Sequence, residues 1–404
     1  MRRVFIGNFD FEHELDQRGW QPGDRIGQIT AARASAWLAI AEPHDFILSP
    51  DFAAATEFDE LPCLHPTLPS FVSDLEQAPG GPEIELVPWG WTERLMAAAE
   101  RRGWRITAPP LDVVKHVNDR RFRWALEQEF DVALPGSQIV TTLDEAARAI
   151  RHSPAGWLFK ASFGMSGRER LSGHGPVLGV AEVNWLVRRF DRHGGVVFEP
   201  RVEPLAEAGI QFTLPQNSAP QLIGITDLLT DSRGAYRGSR FASADVSEDW
   251  SDAVPVAQRA AQRLQDLGYF GPLGIDAMRY RDLSGATRLR PLQDLNARFT
   301  MGRLALGFRR LLYAGESATW LHFSWPSSLS LATWLREITP MLKTETSPAA
   351  VAACGIRIVA TSPAAGRSLE PRSALLIAPT TTSRDIAETS LLAAIHAQLA
   401  TTAQ

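Results

Sequence analysis

The chain has 404 residues and a mass of 44.4 kDa, enough for two or three domains with sizeable cores. Its 22% charged and 45% hydrophobic residues match an ordinary globular composition and exclude a disordered chain, and no apolar run approaches the roughly 20 residues of a membrane-spanning helix. A net charge of −5 and a pI near 6.0 lack the basic footprint of a nucleic-acid binder, so a run such as Arg120-Arg121-Phe122-Arg123 reads as a solvated helix face.

The opening Met1-Arg2-Arg3-Val4-Phe5-Ile6 holds too short an apolar stretch for a signal-peptide core, and a cytoplasmic protein is expected. Residues 2–7, 45–48 and 83–87 read as short strands, with helical stretches at 27–41 and 92–102, the second ending at Gly103. Cys63 and Cys354 show no metal spacing, and Cys63 beside His65 reads as an ordinary buried thiol. Pro109-Pro110 marks the end of this open α/β unit. From 116 to 152, Asn118 or Asp119 caps a helix with Phe122, Leu126 and Phe130 on one stripe, and Thr142-Leu143-Asp144-Glu145 opens a second helix as a capping box. Strands are expected at 156–162, 195–199, 208–214, 221–229, 273–280 and 287–297, and a helix at 255–267. The last ninety or so residues offer one strand pair, 356–360 with 374–378, and a terminal helix.

Three stretches carry chemistry. In Asp294-Leu295-Asn296-Ala297-Arg298 alternate side chains share a strand face, and a hairpin centred on Ser284 places Asp276 opposite roughly 291–292, with Asp294 the next neighbour on that face. Two carboxylates and an amide are an oxygen set that Mg²⁺ favours; the competing reading is that Arg279, Arg288, Arg290 and Arg298 merely neutralise the acids. Lys160 interrupts the apolar strand of Trp157-Leu158-Phe159, just before Gly164-Met165-Ser166-Gly167. Phosphate oxygens would satisfy both the ammonium and the backbone N–H groups of such a loop, whereas an edge-strand lysine would keep its head in solvent. The strand 195–199 runs into Glu199-Pro200-Arg201-Val202-Glu203, whose backbone suits an adenine beside an apolar slot, unless Glu199 and Arg201 are ordinary surface residues.

Taken in this order, the three stretches resemble the ATP-grasp superfamily over roughly residues 115–310. The resemblance implies an α/β and α+β protein: an N-terminal open α/β (pre-ATP-grasp) domain over 1–114, then a two-lobed ATP-grasp domain over 115–310. Its small lobe would span about 115–200 and its large lobe about 200–310, leaving 311–404 to complete the first domain's sheet or to cover the active site. It implies ATP as substrate and Mg²⁺, with Mn²⁺ as a substitute, on Asp276, Asp294 and Asn296. Lys160 and the loop residues Gly164, Ser166 and Gly167 would hold phosphates, and Arg120 would stand where many members place a lysine. Glu199, Arg201 and Val202 would frame adenine, Glu207 or Glu203 would bind ribose, and Arg298 would face the reacting phosphoryl group, with Lys160 sharing the catalytic role. The activity implied is activation of a small-molecule carboxylate as an acyl phosphate and its joining to an amine, with 163–168 as the lid and a homodimer as a common assembly. Trp89-Gly90-Trp91 and Tyr236-Arg237-Gly238-Ser239-Arg240 offer groups suited to a small acid.

Three other readings compete: a small-molecule kinase that stops at phosphoryl transfer, a non-catalytic ATP-binding protein, and a nicotinamide enzyme. The last lacks the G-x-G-x-x-G turn after Val4-Phe5-Ile6. No Walker A, G-x-S-x-G or H-E-x-x-H pattern occurs, which disfavours P-loop hydrolysis, α/β-hydrolase chemistry and zinc proteolysis.

Overall fold

The computed structural model describes residues 1–21, 23–50, 67–164, 169–231, 234–244, 248–326, 329–342, 355–362 and 369–402. The expectations for Cys63, His65, Ser166, Gly167 and Cys354 fall outside these residues.

The N-terminal unit comprises β1 (Arg2–Ile6), α1 (Phe11–Asp16), α2 (Asp24–Arg33), β2 (Phe46–Leu48), β3 (Ser70–Val72), β4 (Ile84–Pro88), α3 (Glu93–Arg102) and α4 (Leu111–Val117). Its strands form a parallel sheet in the order β3-β2-β1-β4. Thr92 caps α3, and Gly103 ends it in the left-handed region at φ 64°, where a side chain would be strained. The helix expected over 27–41 divides: α2 stops at Arg33 and a 3₁₀ turn, Ala34–Ala39, follows. That turn is wholly buried and seats Trp37 against Phe5 and Phe299.

Next come α5 (Arg120–Glu129), β5 (Gln138–Val140), α6 (Leu143–Arg151), β6 (Trp157–Lys160), β7 (Arg170–Gly173), α7 (Val180–His193) and β8 (Val196–Pro200), whose strands make an antiparallel sheet ordered β5-β8-β6-β7. Asp119, not Asn118, caps α5; the Asn118 side chain instead spans from Val114 O to the backbone of Ala297. Thr142 caps α6 as expected, and the Glu145 carboxylate reaches back to accept from the Thr141 N–H and hydroxyl.

The remaining elements are β9 (Glu203–Leu214), β10 (Gln221–Thr230), β11 (Tyr236–Ala242), α8 (Val254–Asp266), β12 (Gly271–Arg281), β13 (Thr287–Asn296), α9 (Met301–Gly307), β14 (Ser317–Pro326), α10 (Leu331–Ile338), β15 (Arg357–Ala360), β16 (Leu369–Ala378) and α11 (Thr381–Thr402). They build an eight-stranded antiparallel sheet, β13-β12-β9-β10-β11-β14-β16-β15. The expected C-terminal pair forms as β15 and β16, and with β14 it joins this large sheet instead of the first. One apolar core runs from Phe5, Trp37 and Trp89 of the first unit to Ile210 and Phe212 of the large sheet and Leu304 of α9, while the small sheet keeps its own core around Phe159, Leu186 and Phe198. Among the described residues no helix is long and apolar enough to cross a membrane.

The β12–β13 register differs from the expected one. The tip pairs Arg281 with Thr287, as a turn centred on Ser284 requires, but an irregularity between Asp276 and Met278 places Asp276 directly opposite Asp294. The later strand accommodates two extra residues around Pro291, which has no N–H to give to the ladder.

Candidate functional site

The site forms where the small sheet faces the β12–β13 edge of the large one. Asp276 and Asp294 form a cross-strand pair, and the Asn296 Nδ2 lies 3.3 Å from Asp276 Oδ2. Burial, then the charges of Asp294 and Glu207, push the Asp276 carboxyl up to about 7. Burial would also raise Asp294, but Arg120, Lys160 and Arg123 outweigh it and hold that carboxyl below its usual range. The Arg120 Nε stands 3.8 Å from Asp294 Oδ2. Three of the four arginines considered from sequence as neutralising partners are engaged away from this acid pair: Arg279 donates to Asp249 O, Arg288 to Asp282, and Arg290 to Glu127 and Glu199.

Lys160 is not an edge-strand lysine with a solvated head. β6 lies between β8 and β7, and the ammonium sits 2.8 Å from Glu199 Oε2 with the side chain 13% exposed. Burial lowers its pKa, against the pull of Glu199. Glu199 is likewise not a surface acid. Its carboxylate also accepts from Arg123 at 2.9 Å and from Arg290 at 2.8 and 3.1 Å; although burial would raise it, Arg290, Lys160 and Arg123 hold it well below the carboxylate range. Glu127 completes the cluster, bonded to Arg123 and, at 2.6 and 3.0 Å, to Arg290. Sequence reasoning missed Arg123 and Glu127. The signal was an Arg/Glu pair four residues apart beside the apolar stripe: Arg123, Leu126 and Glu127 are the deeply buried face, while Phe122 is half-buried.

Arg120 is committed to the loop after β6, donating to Ala161 O at 3.1 Å and Gly164 O at 2.8 Å, so it links that loop to Asp294. Glu207 accepts from Gln293 at 2.8 Å and Thr230 at 3.0 Å, within electrostatic reach of Asp276. Glu203 is exposed at the start of β9, bonded at 3.2 Å to Arg281 and apart from this group. Arg298 is held more tightly than a mobile catalytic arginine would be: it donates to Glu12 Oε1 at 2.5 and 2.6 Å, to Asn296 Oδ1 at 2.9 Å and to Phe299 O at 2.8 Å, and lies 5.2 Å from the Trp89 ring centre.

The hinge lines a cavity of about 710 Å³ together with Phe198, Tyr280 and Leu283. The lining includes Phe198 and Pro200 but none of Leu158, Lys160, Val197 or Glu199, so this apolar space opens on the sheet face away from Lys160. Arg201 turns its guanidinium to His174 at 3.0 Å and its backbone N–H to Gly156 O, and Val202 packs on Leu134, Met278 and Tyr280. A second space of about 190 Å³ is lined by Trp89, Gly90, Trp91 and Arg298, which brings one of the two expected substrate stretches to the site. The other is engaged elsewhere: the Tyr236 hydroxyl meets Ser239 at 2.9 Å, and Arg240 pairs with Glu388 of α11 at 2.7 Å.

Among the described residues, no three His, Cys, Asp or Glu side chains are arranged to hold a metal by themselves. Two facing carboxylates and an amide suit Mg²⁺, which keeps several positions for water and phosphate oxygens, and a divalent cation would relieve the repulsion that raises Asp276. Cations at Lys160 and Arg120 opposite such a metal are what a polyphosphate requires.

No family model matches the sequence. The butirosin acyl-carrier protein–L-glutamate ligase of Niallia circulans is 33% identical over 79 residues, which are 20% of this chain and only 18% of that protein. Solved structures align over nearly the whole chain. The N5-carboxyaminoimidazole ribonucleotide synthetase of Thermus thermophilus matches with a TM-score of 0.54 at 12% identity, over 97% of both chains. The ADP-complexed N5-carboxyaminoimidazole synthetase of Staphylococcus aureus matches at 0.54 and 10% identity, over 97% of this chain and 96% of that one. The chain has the ATP-grasp fold. The biotin carboxylase domain of the Hydrogenobacter thermophilus 2-oxoglutarate carboxylase, solved with MgADP and bicarbonate, shares the ATP-grasp architecture at a TM-score of 0.52 and 13% identity, over 93% of this chain and 86% of that one. An N-terminal open α/β domain followed by the two-lobed grasp is thus the arrangement here.

Proposed function

We propose that this chain is an ATP- and Mg²⁺-dependent ligase that activates a small carboxylate as an acyl phosphate and joins it to an amine. The observation that carries this reading is the Asp276–Asp294 pair facing Lys160 and Arg120 across the two lobes of an ATP-grasp fold. Solved proteins of this fold hold ADP and MgADP.

In this reading Lys160 and Arg120 neutralise the nucleotide phosphates, Gly164 with Ser166 and Gly167 covers them, and Arg201 and Val202 form the segment beside adenine. Glu207, already an acceptor for two side-chain donors, takes the ribose hydroxyls. Asp276, Asp294 and Asn296 hold Mg²⁺, which would screen charge on the transferring phosphoryl group. An oxygen of the substrate carboxylate attacks the γ-phosphorus and ADP leaves; the amine then attacks the acyl carbon, phosphate leaves with the C–O bond electrons, and the amine gives up a proton. No protein nucleophile is needed, so positioning and charge neutralisation carry the catalysis. Residues 1–114, 115–310 and 311–404 are the proposed functional divisions. Trp89 and Trp91, beside Arg298, line the proposed acid subsite.

The test is calorimetric titration with a non-hydrolysable ATP analogue, with and without Mg²⁺, in the wild type and Lys160→Ala, followed by a panel of acids and amines scored by ADP release. L-Glutamate is included both as acid and as amine, because the curated relative is named as an L-glutamate ligase. Mg²⁺-dependent binding lost in the variant and ADP release that needs both substrates are expected. A stable phosphorylated product without an amine would replace the ligase with a kinase, and no binding would end the reading.

A further inference from the structure

Lys160 is the open end of a buried ion cluster. Arg123 and Glu127 come from α5, Glu199 from β8 and Arg290 from β13, and their side chains are only 0–4% exposed against 13% for Lys160. Arg290 therefore reaches from the large sheet into the small lobe and binds both carboxylates, each through two bonds. Three cations meet two carboxylates, a surplus of one positive charge. In a dry interior such a surplus is poorly screened and acts over a longer distance than a surface charge, toward the side where the cluster opens. That side is Lys160, within electrostatic reach of Asp294.

We propose that Lys160 and the Arg123–Glu127–Glu199–Arg290 group behind it together carry one surplus buried positive charge, presented at Lys160, that draws the nucleotide's phosphates there, so that Glu127 and Arg290 position phosphate without touching it. This rests on the reading of Lys160 as the phosphate lysine. A cluster that only braces the lobes would give a different result under mutation. Removing either Arg290 or Glu127 takes away bonds from buried partners and loosens the same junction. The charge, however, moves in opposite directions: Arg290→Met cancels the surplus and Glu127→Gln doubles it.

The experiment is calorimetric titration of the full-length wild type, Arg290→Met, Arg290→Lys and Glu127→Gln with MgADP and, separately, with adenosine, at low and high salt. Expected are MgADP binding about tenfold weaker in Arg290→Met, about threefold or more tighter in Glu127→Gln, and close to wild type in Arg290→Lys, with adenosine within about twofold throughout. Both neutralising variants weakening MgADP together, neither moving it, or adenosine shifting equally would overturn the charge role while leaving the nucleotide site in place. If Arg290→Met does not fold, the tightening in Glu127→Gln decides the matter. A wild type that binds no MgADP would remove the nucleotide reading and this inference together.

Discussion

Asp276→Asn should stabilise the metal-free protein, and by an amount that depends on pH. In the folded chain the Asp276 carboxyl titrates near 7, against an ordinary value of 3.8, because burial and the facing Asp294 disfavour its ionised form. The folded state therefore binds the proton more tightly than the unfolded state. Stability is complete below pH 3.8 and is lost as pH rises through about 7. A shift of roughly three units at 1.36 kcal/mol each gives about 4 kcal/mol, and since the side chain is only partly buried, solvent screening brings this to about 2–4 kcal/mol. Asparagine cannot ionise, so the variant should match the wild type near pH 4 and exceed it by that amount above pH 8. Urea unfolding in the presence of EDTA at pH 4.5, 6, 7 and 8.5 measures the difference directly. Saturating Mg²⁺ should recover the wild type's loss at high pH and leave the variant unchanged, because binding to the folded state alone adds stability. A difference between the two proteins that stays flat across pH would refute the argument.

Lys160→Ala and Asn296→Ala should each abolish ATP turnover with the fold retained; the first should weaken MgADP at least tenfold, and the second should remove the Mg²⁺ dependence of binding, both read by calorimetry and circular dichroism. Glu388→Ala removes the carboxylate that holds Arg240 through two bonds and Thr319 through a third, and should lower stability by about 1–3 kcal/mol without moving the MgADP affinity. That pair of results would separate the contact between α11 and β11 from the nucleotide site.

The order of the chemical motifs was legible in the sequence, and so were the helix ends that single residues decide. Thr142 and Asp119, the latter with Asn118 as its alternative, cap through side chains that accept from backbone N–H groups two or three residues on, and Gly103 ends its helix by its own left-handed backbone, so no distant contact has to supply them. Register was not legible, because the irregularity around Pro291 depends on pairing between two strands and moves Asp294 by two positions. Arg123 read as a solvated charge, Glu127 was not singled out and Glu199 was read as a hinge or surface acid, because burial of an ion is set by its partners and Arg290 arrives from 163 residues away in sequence to meet Glu127. The loop residues Ser166 and Gly167 fall outside the described structure, so their part in the site rests on the motif alone. β14 passed unnoticed for a related reason: it is buried on both faces, with Trp320 on one and Trp325 on the other, so no clean alternation marks it and it becomes a strand only beside β11 and β16.

One tie between the N-terminal domain and the end of the metal strand runs through a residue that sequence alone did not flag. Glu12 of α1 is 6% exposed and binds Arg298, which follows β13, and its second oxygen has no hydrogen-bond partner among the described residues. Arg298 in turn donates to Asn296 Oδ1, which orients the amide that faces Asp276. Glu12→Gln keeps the shape but removes the counter-charge, so the buried guanidinium is left with neutral acceptors only. We expect a loss of about 2–3 kcal/mol in stability. The same change should weaken Mg²⁺-dependent MgADP binding, because Arg298 then adds its full charge beside the metal ligands. Arg298→Met in the Glu12→Gln background should recover part of the stability, as removing both partners of a buried pair costs less than removing one. A Glu12→Gln protein as stable as the wild type and unaltered in its Mg²⁺ dependence would show that the first domain stands beside the site without shaping it.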